Sequence, residues 1–167
     1  LALRTGATAM LIPNVLDFDS PPPPPDEYAA DLRLELGLAP DEYLLLQPTR
    51  IVPRKGIELA VDFVKALDSP KRRARLRQYG LYDGRPFGDE SRIVLVMAGY
   101  SEDPAGHYLN LLKRKVERAG IDALFIGDIV GGRRRIQNGK KVYSLWDTYV
   151  LADFVTYPSQ WEGWGNQ

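Results

Sequence analysis

Four short apolar runs, Tyr43–Thr49, Arg92–Ala98, Ala123–Ile126 and Asp153–Tyr157, are each separated from the next by a stretch that includes helical spacing. The clearest of them carry apolar side chains without alternation, the pattern of a strand covered on both faces. Strands of that kind, joined through helices, run parallel, because a parallel pair needs a long crossover. The expected fold class is therefore α/β, an open parallel sheet flanked by helices. In that architecture ligands meet the carboxyl ends of the strands. The loops after Thr49, Ala98, Ile126 and Tyr157 are the places to look for chemistry.

The helical expectations follow from period and caps. Asp26–Leu38 reads as a short helix with Asp26 at its start and Gly37 at its end. Ile57–Leu67 places Leu59, Ala60, Phe63, Val64 and Leu67 at helical spacing. Lys71–Arg77 is basic and helical. His107–Ala119 sets Leu109, Leu112 and Val116 on one face, and Gly120 caps it. Tyr143–Ala152 is expected as a helix, and the basic, glycine-rich Gly131–Lys141 as a loop. Ala9–Val15 reads as an entry strand and turn, and Pro21–Pro25 as a stiff extended spacer.

Composition removes whole classes of site. The 167 residues include no cysteine and one histidine, so thiolate metal sites, cysteine nucleophiles and two-imidazole sites are excluded. Lysine plus arginine balances aspartate plus glutamate at 22 each, which gives no overall drive toward nucleic acid. The runs Lys71–Arg77 and Arg133–Arg135 lack interleaved aromatics and read as solvated surfaces. Asp17, Asp19 and Asp128 do not form a spaced carboxylate cluster. The start carries no basic stretch leading into a long apolar run, and no window reaches the length of an apolar membrane span. The expected location is the cytoplasm, with contact at the inner face of a membrane left open. Both ends read as cut sites in a longer protein.

Two of the four loops carry the chemistry. Arg50, Arg54 and Lys55 lie just before the helix that begins after Gly56, and a helix start with fixed cations can hold an anion. Spacing alone favours the plainer reading, a solvated basic turn. The loop Pro158–Gln167 offers Glu162 as a carboxylate, exposed amides at Gly163, Trp164 and Gly165, and Trp161 and Trp164 for stacking on a sugar or for burial.

Arg50-Ile-Val-Pro-Arg-Lys55, directly after an apolar strand, resembles the arginine–four residues–lysine signature of the group 1 (family 4) glycosyltransferases. Ile12–Asp17 resembles the family's Ile-Pro-Asn-Gly-Val-Asp strand without its glycine, and Ala152–Asn166 resembles the approach to its paired-glutamate motif. The resemblance implies a Rossmann-like, donor-binding domain at 26–167, the C-terminal half of a two-domain enzyme, truncated at its end. Residues 1–25 would be the interdomain strand and proline-rich linker. It implies that Arg50 and Lys55 bind the diphosphate of a nucleotide sugar and offset the charge on the leaving group, and that Glu162 contacts the donor sugar. These three are the candidate catalytic residues. Gly163, Trp164, Gly165 and Asn166 would lie against sugar and phosphates, and Asp128, Ile129 and Val130 near the base. The ribose-holding second glutamate would fall three positions past Gln167. The implied reaction is retaining transfer to an unknown sugar, lipid or small-molecule acceptor, without cofactor or metal. The acceptor site would belong to the N-terminal domain of the same protein, and the fragment alone is expected to be inactive. A non-catalytic nucleotide or phosphate-binding module of similar fold is the alternative. A phosphorylase with lysine-bound pyridoxal phosphate finds no local signature.

Overall fold

The computed structural model describes residues 24–162 together with Gly6 and Asp19. Most of the entry strand and proline spacer, and the site candidates Gly163, Trp164, Gly165 and Asn166, lie outside the described residues. In chain order the elements are α1 (Leu32–Glu35), β1 (Tyr43–Gln47), α2 (Ile57–Leu67), α3 (Pro70–Tyr79), β2 (Ile93–Met97), α4 (His107–Ala119) and β3 (Asp122–Phe125). After these come β4 (Val130–Gly131), β5 (Arg135–Gln137), β6 (Lys140–Ser144), α5 (Leu145–Leu151) and β7 (Phe154–Val155).

β3, β2, β1 and β7 form one all-parallel sheet in that order. The register runs Tyr43 opposite Ile93 through Gln47 opposite Met97, and Leu45 opposite Phe154. All five residues of β2 are buried, as the continuous apolar run predicts. Their side chains divide between two faces. Leu45, Ile93, Leu95 and Met97 pack with Ile57, Ala60, Val61 and Val64 of α2 and with Tyr108 and Leu112 of α4. Leu44, Leu46, Val94 and Val96 pack on the opposite side with Leu38, Leu145 and Tyr149. The chain steps outward from β1 to β2 to β3, then returns to the other edge of β1 as β7. That reversal puts the switch point of the sheet between β1 and β7, where an open α/β sheet forms its binding crevice.

The structure corrects several local expectations. The helix expected over Asp26–Leu38 is one turn, Leu32–Glu35, preceded by turns that the Asp26 carboxylate caps through the Ala29 amide at 3.1 Å. The loop expected over Gly131–Lys141 contains a β-hairpin, β5 paired antiparallel with β6, and the helix after it starts at Leu145. Asn138 and Gly139, both at positive φ, make the two-residue turn that the strand twist requires. In α2 the buried stripe is Ile57, Ala60, Val61 and Val64, while Leu59 and Phe63 are exposed. Phe63 instead stacks on Phe154 of the edge strand, at 5.7 Å between ring centroids.

The loops at the carboxyl ends touch backbone to backbone. A Cβ on Gly99 would lie 1.9 Å from the Thr49 carbonyl oxygen, and one on Gly127 would lie 2.7 Å from the Gly99 carbonyl oxygen. The amide of Ile51 donates to the Tyr100 carbonyl at 2.9 Å, extending the β1–β2 pairing into the loops. Gly99→Ala is therefore expected to lower stability by about 2 kcal/mol or more. Gly132→Ala, where a Cβ would meet nothing within 4 Å, should change it by about 0.5 kcal/mol at most. Urea midpoints check this, and equal midpoints would contradict the close approach.

Candidate functional site

The loop after β1 is built to carry a cation inward. Pro53 opens a single 3₁₀ turn through Lys55, and Gly56, at φ 60°, turns the chain from it into α2. Only glycine tolerates both that backbone and the position, because a Cβ there would sit 2.5 Å from the Pro158 carbonyl oxygen. The turn buries Lys55 to 1% exposure at the amino end of α2. A cation so buried needs an anion beside it, since removing a charge from water costs several kcal/mol.

Glu162, from the loop after β7, supplies that anion. One carboxylate oxygen accepts from the Lys55 ammonium. The other accepts from the Arg54 guanidinium at 3.1 Å. The two loops are fastened further by the Gln160 amide, which donates to the Arg54 carbonyl at 2.9 Å. The Arg54 guanidinium lies 5.0 Å from the ring of Trp161, whose face is otherwise open to solvent, and the Lys55 ammonium 5.7 Å from that of Tyr157. The Lys55 ammonium first, with the Arg54 guanidinium beside it, holds the Glu162 carboxyl down to about 2. Beneath the pair is a buried polar network. The Gln47 amide donates to Thr49 at 2.8 Å, and Thr156 donates to the Gln47 carbonyl oxygen at 2.7 Å. It joins the carboxyl ends of β1 and β7 directly under the two loops.

The structure brings Lys55 and Glu162 together but places Arg50 elsewhere. Arg50 pairs with Glu102, from the loop after β2, and both are largely exposed. Its guanidinium stands at a cleft of about 260 Å³ lined by Gly99, Tyr100, Val130, Gly131 and Leu145. Of the residues expected near a base, Val130 lines this cleft and Asp128 lines an adjoining one of about 420 Å³ with Tyr100 and Gly127. Ile129 packs against the core between its neighbours and bonds the hairpin through its carbonyl. Sequence reasoning missed Tyr100, Glu102 and Tyr157. The glycine that closes β2 marked the loop of the first two as close-packed, but nothing in the sequence fixed where its side chains turn.

The basic stretches are mostly exposed, as expected of solvated surfaces, with single residues engaged in the fold. Arg134 of the hairpin bridges Asp147 and Asp26 and covers the ring of Tyr28, and Lys141 bonds Asp31 at 2.7 Å. In α3, Arg73 bonds Asp68 at 2.8 Å and the Ser91 carbonyl at 2.8 Å. Among the described residues, no three acidic or histidine side chains gather where they could hold a metal ion, and no helix is long and apolar enough to cross a membrane.

Because Glu162 titrates lower folded than unfolded, its pairing stabilises the fold fully above about pH 4.5, and that contribution disappears as pH falls toward 2. A carboxyl-carbon NMR titration should give Glu162 a midpoint near 2. The midpoint should move up in Lys55→Met. An ordinary carboxylate midpoint in the wild-type chain would contradict the pairing.

Comparison with known proteins gives this geometry a context. No protein-family model matches the chain, and no solved structure matches it. Two curated proteins do. The chain is 32% identical to a mannosylglucosylglycerate synthase of Petrotoga mobilis, over 98% of its own length and 37% of the relative's. It is 36% identical to a mannosylglucosylglycerate synthase of Thermotoga maritima, over its whole length and 36% of the relative's. The chain is thus homologous, from end to end, to a segment of these synthases, and spans little more than a third of the length of the curated relatives it matches.

Proposed function

We propose that this chain is the donor-binding part of a retaining glycosyltransferase, which moves a sugar from a nucleoside diphosphate to an acceptor hydroxyl. The observation that carries the reading is the buried Lys55, held with Arg54 against Glu162 at the switch point of a parallel sheet. Two cations and a helix amino end converge there with one carboxylate, which matches a ligand joining a diphosphate to a hydroxylated sugar. The homology to synthases of a glycosylated glycerate supports the same reading.

In this reading the diphosphate lies along the loop after β1. Lys55, Arg54 and Arg50 oppose the negative charge that grows on the leaving phosphate as the glycosidic bond breaks. Groups already fixed in place do this without reorganising, the usual origin of large rate effects. Glu162 accepts hydrogen bonds from the sugar and orients it. The base occupies the cleft between Tyr100 and Val130, with Asp128 at its margin. Gly163, Trp164, Gly165 and Asn166 are proposed to contact the sugar and phosphates of the donor. No metal or organic cofactor takes part.

The acceptor site belongs to the rest of the longer protein, whose N-terminal domain faces this one across the cleft, and the enzyme works in the cytoplasm. The relatives' product makes a mannosyl donor and a small, anionic glucosylglycerate acceptor the first pair to assay. The 167-residue chain by itself should transfer nothing.

Calorimetry with the diphosphate hexoses of uridine, guanosine and adenosine tests the donor site. One base should bind in preference to the others. Lys55→Ala and Arg50→Ala should each weaken that binding about tenfold or more, the effect of losing one charge-assisted contact. Binding unchanged in both variants would place the phosphates in another loop.

A further inference from the structure

The cation pair in this structure is already answered by an anion. Each Glu162 oxygen is taken by a different cation, one by Lys55 and one by Arg54, and the Glu162 side chain is 21% exposed. Lys55 has almost no exposed surface, so a phosphate that reaches its ammonium must move Glu162 aside. The displaced carboxylate then loses two charge-assisted bonds and stands beside a second negative charge. A bare inorganic anion offers it little in return, because at neutral pH it brings mainly acceptors. A ligand with neutral hydroxyl groups offers donors to the same carboxylate while its phosphates occupy the cations.

We propose that Glu162 makes the Lys55–Arg54 pair selective: its carboxylate excludes free inorganic anions and yields only to a phosphoester whose hydroxylated group hydrogen-bonds the carboxylate it displaces. This selectivity rests on the donor-site reading above. It assigns Glu162 a role in the unliganded protein as well as in the complex. It also gives the site a way to reject free phosphate and pyrophosphate, which share the ligand's charge but lack its sugar. The buried Gln47 network and the Gln160–Arg54 bond hold the two loops in the register that lets Glu162 reach both cations.

The test compares inorganic pyrophosphate with nucleoside-diphosphate hexoses of uracil, guanine and adenine on the full chain. Calorimetry would be run on wild type, Glu162→Gln and Glu162→Gln with Lys55→Met, with near-ultraviolet circular dichroism to verify folding. Glu162→Gln should bind pyrophosphate about tenfold tighter, having lost the competing charge. It should bind the preferred nucleotide hexose about tenfold weaker, having lost the charged acceptor. The two affinities must move in opposite directions, a result that a merely structural role does not produce. A shift of both in the same direction by a similar factor would overturn the selectivity and leave the donor site standing, provided Lys55→Met still abolishes binding. Binding of both ligands indifferent to Lys55→Met would remove the donor site and the selectivity together. One measurement needs no variant. In wild type, pyrophosphate at equal concentration should fail to displace the bound nucleotide hexose, and ready displacement would overturn the proposal.

Discussion

The structure depends on a buried charge. Lys55 carries an ammonium group with almost no surface in water, so the fold must deliver a carboxylate to it. The carboxylate comes from Glu162, 107 positions along the chain. That meeting is possible only if the last strand returns to the edge of the first. β7 does so, pairing with β1 while β2 and β3 extend the sheet the other way. The strand order, the location of the crevice and the Lys55–Glu162 pair are thus one constraint seen at three scales.

The neighbouring contacts keep that constraint rigid. Gly56 lets the β1 loop press on the carbonyl of Pro158, and Gly99 and Gly127 let the next two loops stack on it in turn. Gln47, Thr49 and Thr156 satisfy one another in a buried network that ties β1 to β7 just below the loops at their carboxyl ends. At the opposite edge, the buried Asp153 carboxylate accepts from the Leu44 amide at 2.7 Å and pairs with Arg85, which anchors the start of β7 to β1. A site held from both ends of the same strand pair is pre-organised, the property that electrostatic stabilisation of a leaving group requires.

Much of this was legible in the sequence, for identifiable reasons. The strands were readable because a parallel strand buried on both faces leaves an unbroken apolar run, as Ile93–Met97 does. Helix α4 was readable to its ends, because apolar period and the Gly120 cap agree. The hairpin over β5 and β6 was not, because its residues are mostly polar and its only strong signal is the Asn138-Gly139 turn. The exposure of Leu59 and Phe63 was hidden for a different reason. Period fixes which residues share a helix face, but the edge strand decides whether that face is covered, and Phe154 covers it only in part. In the site, Lys55 and Glu162 could be named one at a time from the resemblance. Their pairing, and that of Arg50 with Glu102, depends on strand order and loop packing that no local pattern encodes.

The proposed nucleotide-sugar site spans the carboxyl ends of β1, β2, β3 and β7. Amide chemical-shift mapping on addition of a nucleoside-diphosphate hexose tests it most directly. The account predicts shifts in the loops around Arg50–Gly56, Gly99–Ser101, Gly127–Gly132 and Pro158–Glu162, with Glu42, Arg85 and Asp153 at the opposite edge unmoved. Shifts concentrated at that opposite edge, or along the basic helix α3, would contradict it.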